Sequence, residues 1–265
     1  MKSKKITVLL SVILAGLALS SCEKKQESAT EQTNVSTVEK QEKKIVASTS
    51  WTAAFAFIAG ADQVQIIAPA SLQHPPEYEV TVEDIQTISE SDYFIYAGFE
   101  RMMKTLGDSV GNAEMIKINC DNSIETVTAE TLKIAEILGT QEIREKRLAE
   151  YVKVIEDGKK RVEEEGLAGV TVFCNRNQTY LARDLGLLVA QVFGPGPVTS
   201  DQIEDSDREQ YPLIIDNVHN PQGGPLAEVS PDSKYIIWRN FPETVEADAL
   251  KNVIESNINE LFIKD

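Results

Sequence analysis

Residues 128–165 read TAETLKIAEILGTQEIREKRLAEYVKVIEDGKKRVEEE, and their reading decides the fold. Leu148, Val152, Ile155 and Val162 keep one apolar stripe at helical spacing, with charged residues filling the other faces. The stretch is predicted to be helical throughout, with a joint at Gly139-Thr140. An unbroken helix from Thr140 to Glu165 would run ~39 Å at 1.5 Å per residue. That is longer than a crossover between two neighbouring strands needs. It is long enough to link two lobes rigidly.

On both sides of this helix, strand-like and helix-like runs alternate. Before it, strands are predicted at 44–48 (KIVAS), 64–68 (VQIIA), 93–97 (YFIYA) and 115–119 (MIKIN). Helices are predicted at 51–59, ending at Gly60, and at 81–89, where Val82, Ile85 and Ile88 keep helical spacing behind Thr81 as N-cap. After the long helix, strands are predicted at 169–174 (GVTVFC), 187–193, 213–218 (LIIDNV) and 235–238 (YIIW). Helices are predicted at 179–186, 199–210, 226–229 and 247–262, the second opened by a capping box from Thr199 to Gln202. Such alternation argues for βαβ units and parallel sheets. The expected fold class is α/β. Two lobes, 44–127 and 166–265, each hold a small mostly parallel sheet flanked by helices, and one long rigid helix at 128–165 joins them.

The N-terminus adds a location. Lys2, Lys4 and Lys5 precede an apolar run from Ile6 to Leu19. The run is shorter than the roughly 20 residues that cross ~30 Å of hydrocarbon, and it fits the apolar region of a signal peptide over residues 1–21. It ends in Leu19-Ser20-Ser21-Cys22, which resembles the lipobox of bacterial lipoproteins. That resemblance implies acylation of Cys22 and an extracytoplasmic protein held to a bacterial membrane by lipid. Residues 22–43, rich in Glu, Lys, Gln, Ser and Thr, have too little apolar surface to order themselves and read as a flexible tether.

Composition narrows the classes of function. The net charge of the chain is −16, and residues 1–21 carry three Lys and no acid, so their removal leaves −19. A body this acidic lacks the basic footprint of nucleic-acid binding. The sequence carries no Gly-x-Ser-x-Gly, no phosphate-cradling Gly loop and no His-x-x-x-His pair, so no enzyme is expected. A monomer is expected. The chain has only two histidines, His74 and His219, and after Cys22 only two cysteines, Cys120 and Cys174. The two thiols are candidates for metal ligation, for a disulfide with each other, or for inert burial.

Several motifs fall in a meaningful order. His74-Pro75-Pro76-Glu77-Tyr78-Glu79 leads into Thr81-Val82-Glu83-Asp84; Tyr93 to Ala97 leads into Gly98-Phe99-Glu100; and Asn175 to Leu187 follows the long helix. Together they resemble the zinc- and manganese-binding lipoproteins of ABC importers, over essentially the whole mature body. The resemblance implies a solute-binding protein that captures a divalent transition metal between its lobes and delivers it to an ABC permease, Zn2+ before Mn2+. The family's ligand positions are not filled in the usual way. Its first His falls on Pro76, its Asp-Pro-His-x-Trp motif is absent near Cys120, its third ligand reads Asn175, and its last Asp falls near Asn240. An acidic residue after the next-to-last strand appears as Asp216.

Both histidines and both remaining cysteines nevertheless lie at predicted strand ends, where ligands of open α/β sheets gather. His74, Cys120, Cys174 and His219, with Glu77 beside the first, are the candidate metal ligands, soft donors suited to zinc. Two alternatives keep the fold. One is a metal chelate of siderophore, haem or cobalamin type, in a larger cleft lined by Trp51, Tyr78, Phe99, Arg176 and Trp238. The other is a degenerate member acting as an adhesin.

Overall fold

Apolar runs too short to bury themselves singly pair into two sheets. In this computed structural model, which describes residues 43–107 and 110–263, the first sheet holds β1 (Ile45–Ala47), β2 (Gln65–Ile66), β3 (Tyr93–Tyr96) and β4 (Glu114–Lys117). The order is β2-β1-β3-β4 and every pair is parallel. The second sheet holds β5 (Thr171–Asn175), β6 (Leu188–Phe193), β7 (Leu213–Asn217) and β8 (Lys234–Trp238), in the order β6-β5-β7-β8, again all parallel. Each sheet therefore changes winding direction after its first strand. This places a topological switch point at β1/β3 in one lobe and at β5/β7 in the other. The two-lobed α/β architecture read from the sequence is the one found. The readings of the signal peptide, of Cys22 and of all but the last residue of the tether lie outside the described residues.

Helix starts follow local chemistry. α1 (Ser50–Ile58) opens with a reciprocal capping box between Thr49 and Thr52, and all nine of its residues are buried. α2 (Val82–Ser89) is capped by Thr81, whose hydroxyl accepts from Asp84 N at 3.2 Å. α3 (Met102–Leu106) is one short turn after β3 with no sequence signal strong enough to announce it.

The predicted linking helix over 128–165 is two helices. α4 (Ile124–Leu138) begins four residues earlier than the periodicity suggests, because Ser123 accepts from Thr126 N at 3.1 Å and caps it there. It stops where the joint is expected: Gly139 takes a left-handed conformation at φ 69°, and the Thr140 hydroxyl donates to Ala59 O at 2.6 Å. α5 (Gln141–Glu164) then runs 24 residues, about 36 Å. Its buried stripe is Arg144, Leu148, Tyr151, Ile155, Gly158 and Val162. Tyr151, rather than Val152, faces inward.

α5 packs on α1 and α4 at one end and on α6 (Thr179–Asp184) and α9 (Ala249–Glu260) at the other. α7 (Ser200–Glu209) and α8 (Gly224–Val229) pack on each other beside the second sheet. The largest apolar cluster crosses from one lobe to the other, joining Phe55, Ile95 and Ile134 to Val172, Leu181 and Ile254. The lobes thus share one core beneath the space between their sheets. Among the described residues no helix is long and apolar enough to cross a membrane.

Gly158 lets α5 approach α9 closely: a Cβ there would stand 2.6 Å from Ile258 Cδ1 and 3.0 Å from Leu185 Cδ2. Overpacking of this kind costs roughly 1–3 kcal/mol. Gly158→Val is therefore expected to lower the unfolding free energy by that amount, read as a lower urea midpoint at an unchanged slope, and wild-type stability in that variant would refute the packing described.

Candidate functional site between the two sheets

A cavity of about 540 Å³ opens between the lobes. The loop leaving the C-terminal end of every strand contributes to its wall. Trp51 follows β1, His74, Pro76 and Glu77 follow β2, Phe99 follows β3 and Cys120 follows β4. From the other lobe, Asn177 follows β5, Pro195 follows β6, His219 and Asn220 follow β7, and Asn240 and Phe241 follow β8. Parallel strands all deliver their loops to one end of a sheet, so two facing parallel sheets converge on one space.

Four of the five residues singled out from the sequence meet here: His74, Glu77, Cys120 and His219. Cys174 does not. Its side chain is fully buried in the shared core, its thiol donates to Asn175 O at 3.4 Å, and burial pushes the thiol pKa far up. Of the three roles open to it, inert burial is the one its surroundings match. Both Cys120 and Cys174 are free thiols, so they form no disulfide. Of the aromatic and cationic residues expected around a larger cleft, Trp51 and Phe99 line it, while Arg176 lines an adjoining cavity with Cys120, Asp121 and Asp184. Trp238 is fully buried and Tyr78 packs against the first lobe's own small core.

His219 is the most developed donor. Its ring is 7 % exposed and stacks on Phe241 with centroids 3.5 Å apart. Nδ1 lies 3.0 Å from Gln73 O, a bond that crosses between the lobes. A carbonyl only accepts, so Nδ1 carries the proton, and in the neutral ring Nε2 is left with a lone pair. That Nε2 is buried without a hydrogen-bond partner. Burial pushes the His219 pKa down to about 4. The carbonyls of Gln73 and Phe241 oppose the shift, and the charges of Arg239 and His74 reinforce it. A neutral imidazole with one nitrogen fixed on a backbone carbonyl and the other free is the arrangement metal-ligating histidines use. Cys120 is only partly exposed. Burial, then the carboxylates of Glu100, Glu130 and Asp121, hold its thiol well above the ordinary range.

Two buried carboxylates hold the loops in place. Asp216, fully buried, accepts from Asn175 Nδ2 at 2.9 Å, Asn217 N at 2.7 Å, Gly223 N at 2.7 Å and the Tyr235 hydroxyl at 2.7 Å. Asn217 in turn accepts from His219 N at 2.8 Å, so Asp216 sets the loop that presents the imidazole. Glu100 does the same for Phe99, accepting from the Ser48 hydroxyl at 2.5 Å, Ala97 N at 2.8 Å and Gly98 N at 2.5 Å.

Asn122 ties the lobes beneath the cavity. It accepts from Trp51 Nε1 at 2.6 Å and donates to the Tyr180 hydroxyl at 2.8 Å and to Asn240 O at 2.6 Å. Sequence reasoning missed Asn122, Asn220 and Phe241 as site residues. Their shared signal is position alone, just past a strand end. Among the described residues no group of three or more His, Cys, Asp or Glu side chains stands close enough to hold a metal ion together.

No family model matches the chain, and no curated protein matches it. Solved structures do. The periplasmic metal-binding protein of Candidatus Liberibacter asiaticus superimposes with a TM-score of 0.65 at 14 % identity, covering 83 % of this chain and 98 % of that one. Structures of that protein with Mn and with Cd bound match similarly, at TM-scores of 0.59 and 0.62. The laminin-binding protein of Streptococcus agalactiae, described as bifunctional with adhesin and metal-transporting activity, matches at TM-score 0.63 and 14 % identity, over 83 % of this chain and 98 % of its own. At this identity the likeness establishes the fold. It is the fold of proteins described as periplasmic metal-binding and as metal-transporting.

Two outcomes test the site as a built structure. Asp216→Asn turns an acceptor-only group into one whose amide faces four donors, and it should cost roughly 2–3 kcal/mol in chemical denaturation. His219 takes up its proton near pH 6.5 in the unfolded chain but only near 4 when folded. The unfolded state therefore binds the proton first. Folding should lose on the order of 3 kcal/mol as pH falls from about 6.5 to about 4 and be unaffected above that window. Denaturation of wild type and His219→Phe across that range isolates the effect, and identical pH dependence in both would contradict the burial of His219.

Proposed function

We propose that this chain is the solute-binding lipoprotein of an ABC importer, anchored outside the cytoplasm through Cys22, and that its cargo is a divalent transition metal. The observation that carries the reading is the meeting of the chain's only two histidines, one from each lobe, in the cavity at the strand ends. Glu77 and Cys120 add two further donors to the same wall. Imidazole nitrogen and thiol sulfur favour zinc over manganese. The fold shared with proteins described as binding Mn and Cd supports a metal as cargo, and the related structures being binding and transport proteins supports a non-enzymatic role.

The geometry suggests how binding would proceed. Nε2 of His219 needs no proton removed at neutral pH, and its partner nitrogen is already oriented by Gln73 O. His74 and Glu77 stand exposed on the short segment after β2, so they reach the ion by a local movement. Because the lobes share a core, that segment moves more readily than a whole lobe. Delivery to the permease would follow release of the His219–Gln73 bridge.

Metal content measures the proposal directly. The lipoprotein recovered from cells without chelators should carry about one transition-metal ion per chain by elemental mass spectrometry. His219→Phe, which keeps a ring on Phe241, should carry at least tenfold less, and His74→Ala should also be depleted. Wild-type protein with no transition metal above background would sink the reading.

A further inference from the structure

The geometry points to a cargo that arrives as a metal already held in a small, flat organic complex, with His219 Nε2 completing the coordination. This inference rests on the reading that the cargo is a metal, and it names the form the metal takes. The cavity, about 540 Å³, falls within the range of small-molecule pockets and far exceeds a single ion.

Its wall carries a continuous run of rings. Phe99 meets Trp51 edge-on at 6.3 Å, Trp51 meets Phe241 at 5.7 Å, and Phe241 stacks on His219 at 3.5 Å. Phe99 is 58 % exposed, a large ring left facing the opening. Rings stack on unsaturated ligands and offer little to a hydrated ion.

Charge argues the same way. Glu77 is the one carboxylate among the residues that line the cavity. A bare dication there would be neutralised only if the Cys120 thiol also gave up its proton beside Glu77, and an uncompensated buried charge is costly. A chelate whose donor atoms are anionic enters nearly neutral. Two amides near the site are engaged: Asn122 by Trp51, Tyr180 and Asn240, and Asn240 Oδ1 by Asn217 Nδ2 at 3.3 Å. One free, buried, unprotonated nitrogen remains, that of His219, which suits a single bond to a metal whose other positions are already filled.

Calorimetry and quenching of Trp51 fluorescence test this with three probes: Zn2+ alone, the neutral 1:1 complex of zinc with 2,6-pyridinedicarboxylate, and free 2,6-pyridinedicarboxylate. The complex should bind at least tenfold more tightly than either component. His219→Phe should lose at least tenfold of that affinity. Phe99→Ala, which removes an exposed ring and spares the core, should weaken the complex severalfold. Zinc alone binding as tightly as the complex would overturn the inference and leave the metal-cargo reading standing. Equal binding of the metal-free acid, or no binding of any probe, would overturn both.

Discussion

A single buried amide carries the junction of this molecule. Asn122 is fully enclosed, and its side-chain amide and backbone carbonyl are engaged by residues distant in sequence: Trp51 from the first lobe, Tyr180 and Asn240 from the second, and the Tyr151 hydroxyl of α5, which donates to its backbone carbonyl at 2.5 Å. In a low-dielectric interior such bonds are strong when complete and costly when one partner is missing. The network therefore admits one relative placement of the two sheets. The cavity, the ring wall and the pairing of His219 with Gln73 all depend on that placement.

Electrostatics above this junction separates two kinds of acidic residue. Asp216 and Glu100 are buried in nests of backbone and hydroxyl donors, where they shape loops. Glu77 is exposed and free to turn inward. The large negative charge of the chain thus lies mostly elsewhere on the surface, and the site itself is nearly neutral.

The fold was legible because its signals are local and repeated. Short apolar runs separated by helical spacing, with Thr81 and Thr199 at helix starts, specify parallel α/β lobes whatever lies between them. The break at Gly139 was visible for the same reason. The start of α4 was not, since Ser123 caps it before the apolar periodicity begins. Half of the site could also be read: His74 and His219 are scarce residues in loops, and Cys120 was expected at a strand end and lies just past one, three residues beyond β4. Cys174 ends one too, but its strand lies in the centre of its sheet, where its side chain turns into the core. Which face a strand-end residue takes depends on the pleat and on the neighbouring layer, and neither is written in the spacing. Phe241 and Asn122 are common residue types whose importance arises only from long-range packing.

The shared core has a mechanical consequence. A hinge needs a thin cross-section of low stiffness, such as two or three bare strands between otherwise separate bodies. Here the cross-section that joins the lobes is itself packed interior, braced along its length by a 24-residue helix. Bending it would open voids throughout that interior, and voids are what close-packed cores resist most. What lies outside that interior is the set of connections at the rim, among them residues 71–74, all of them exposed. The protein is built as a rigid cup whose rim carries its exposed connections.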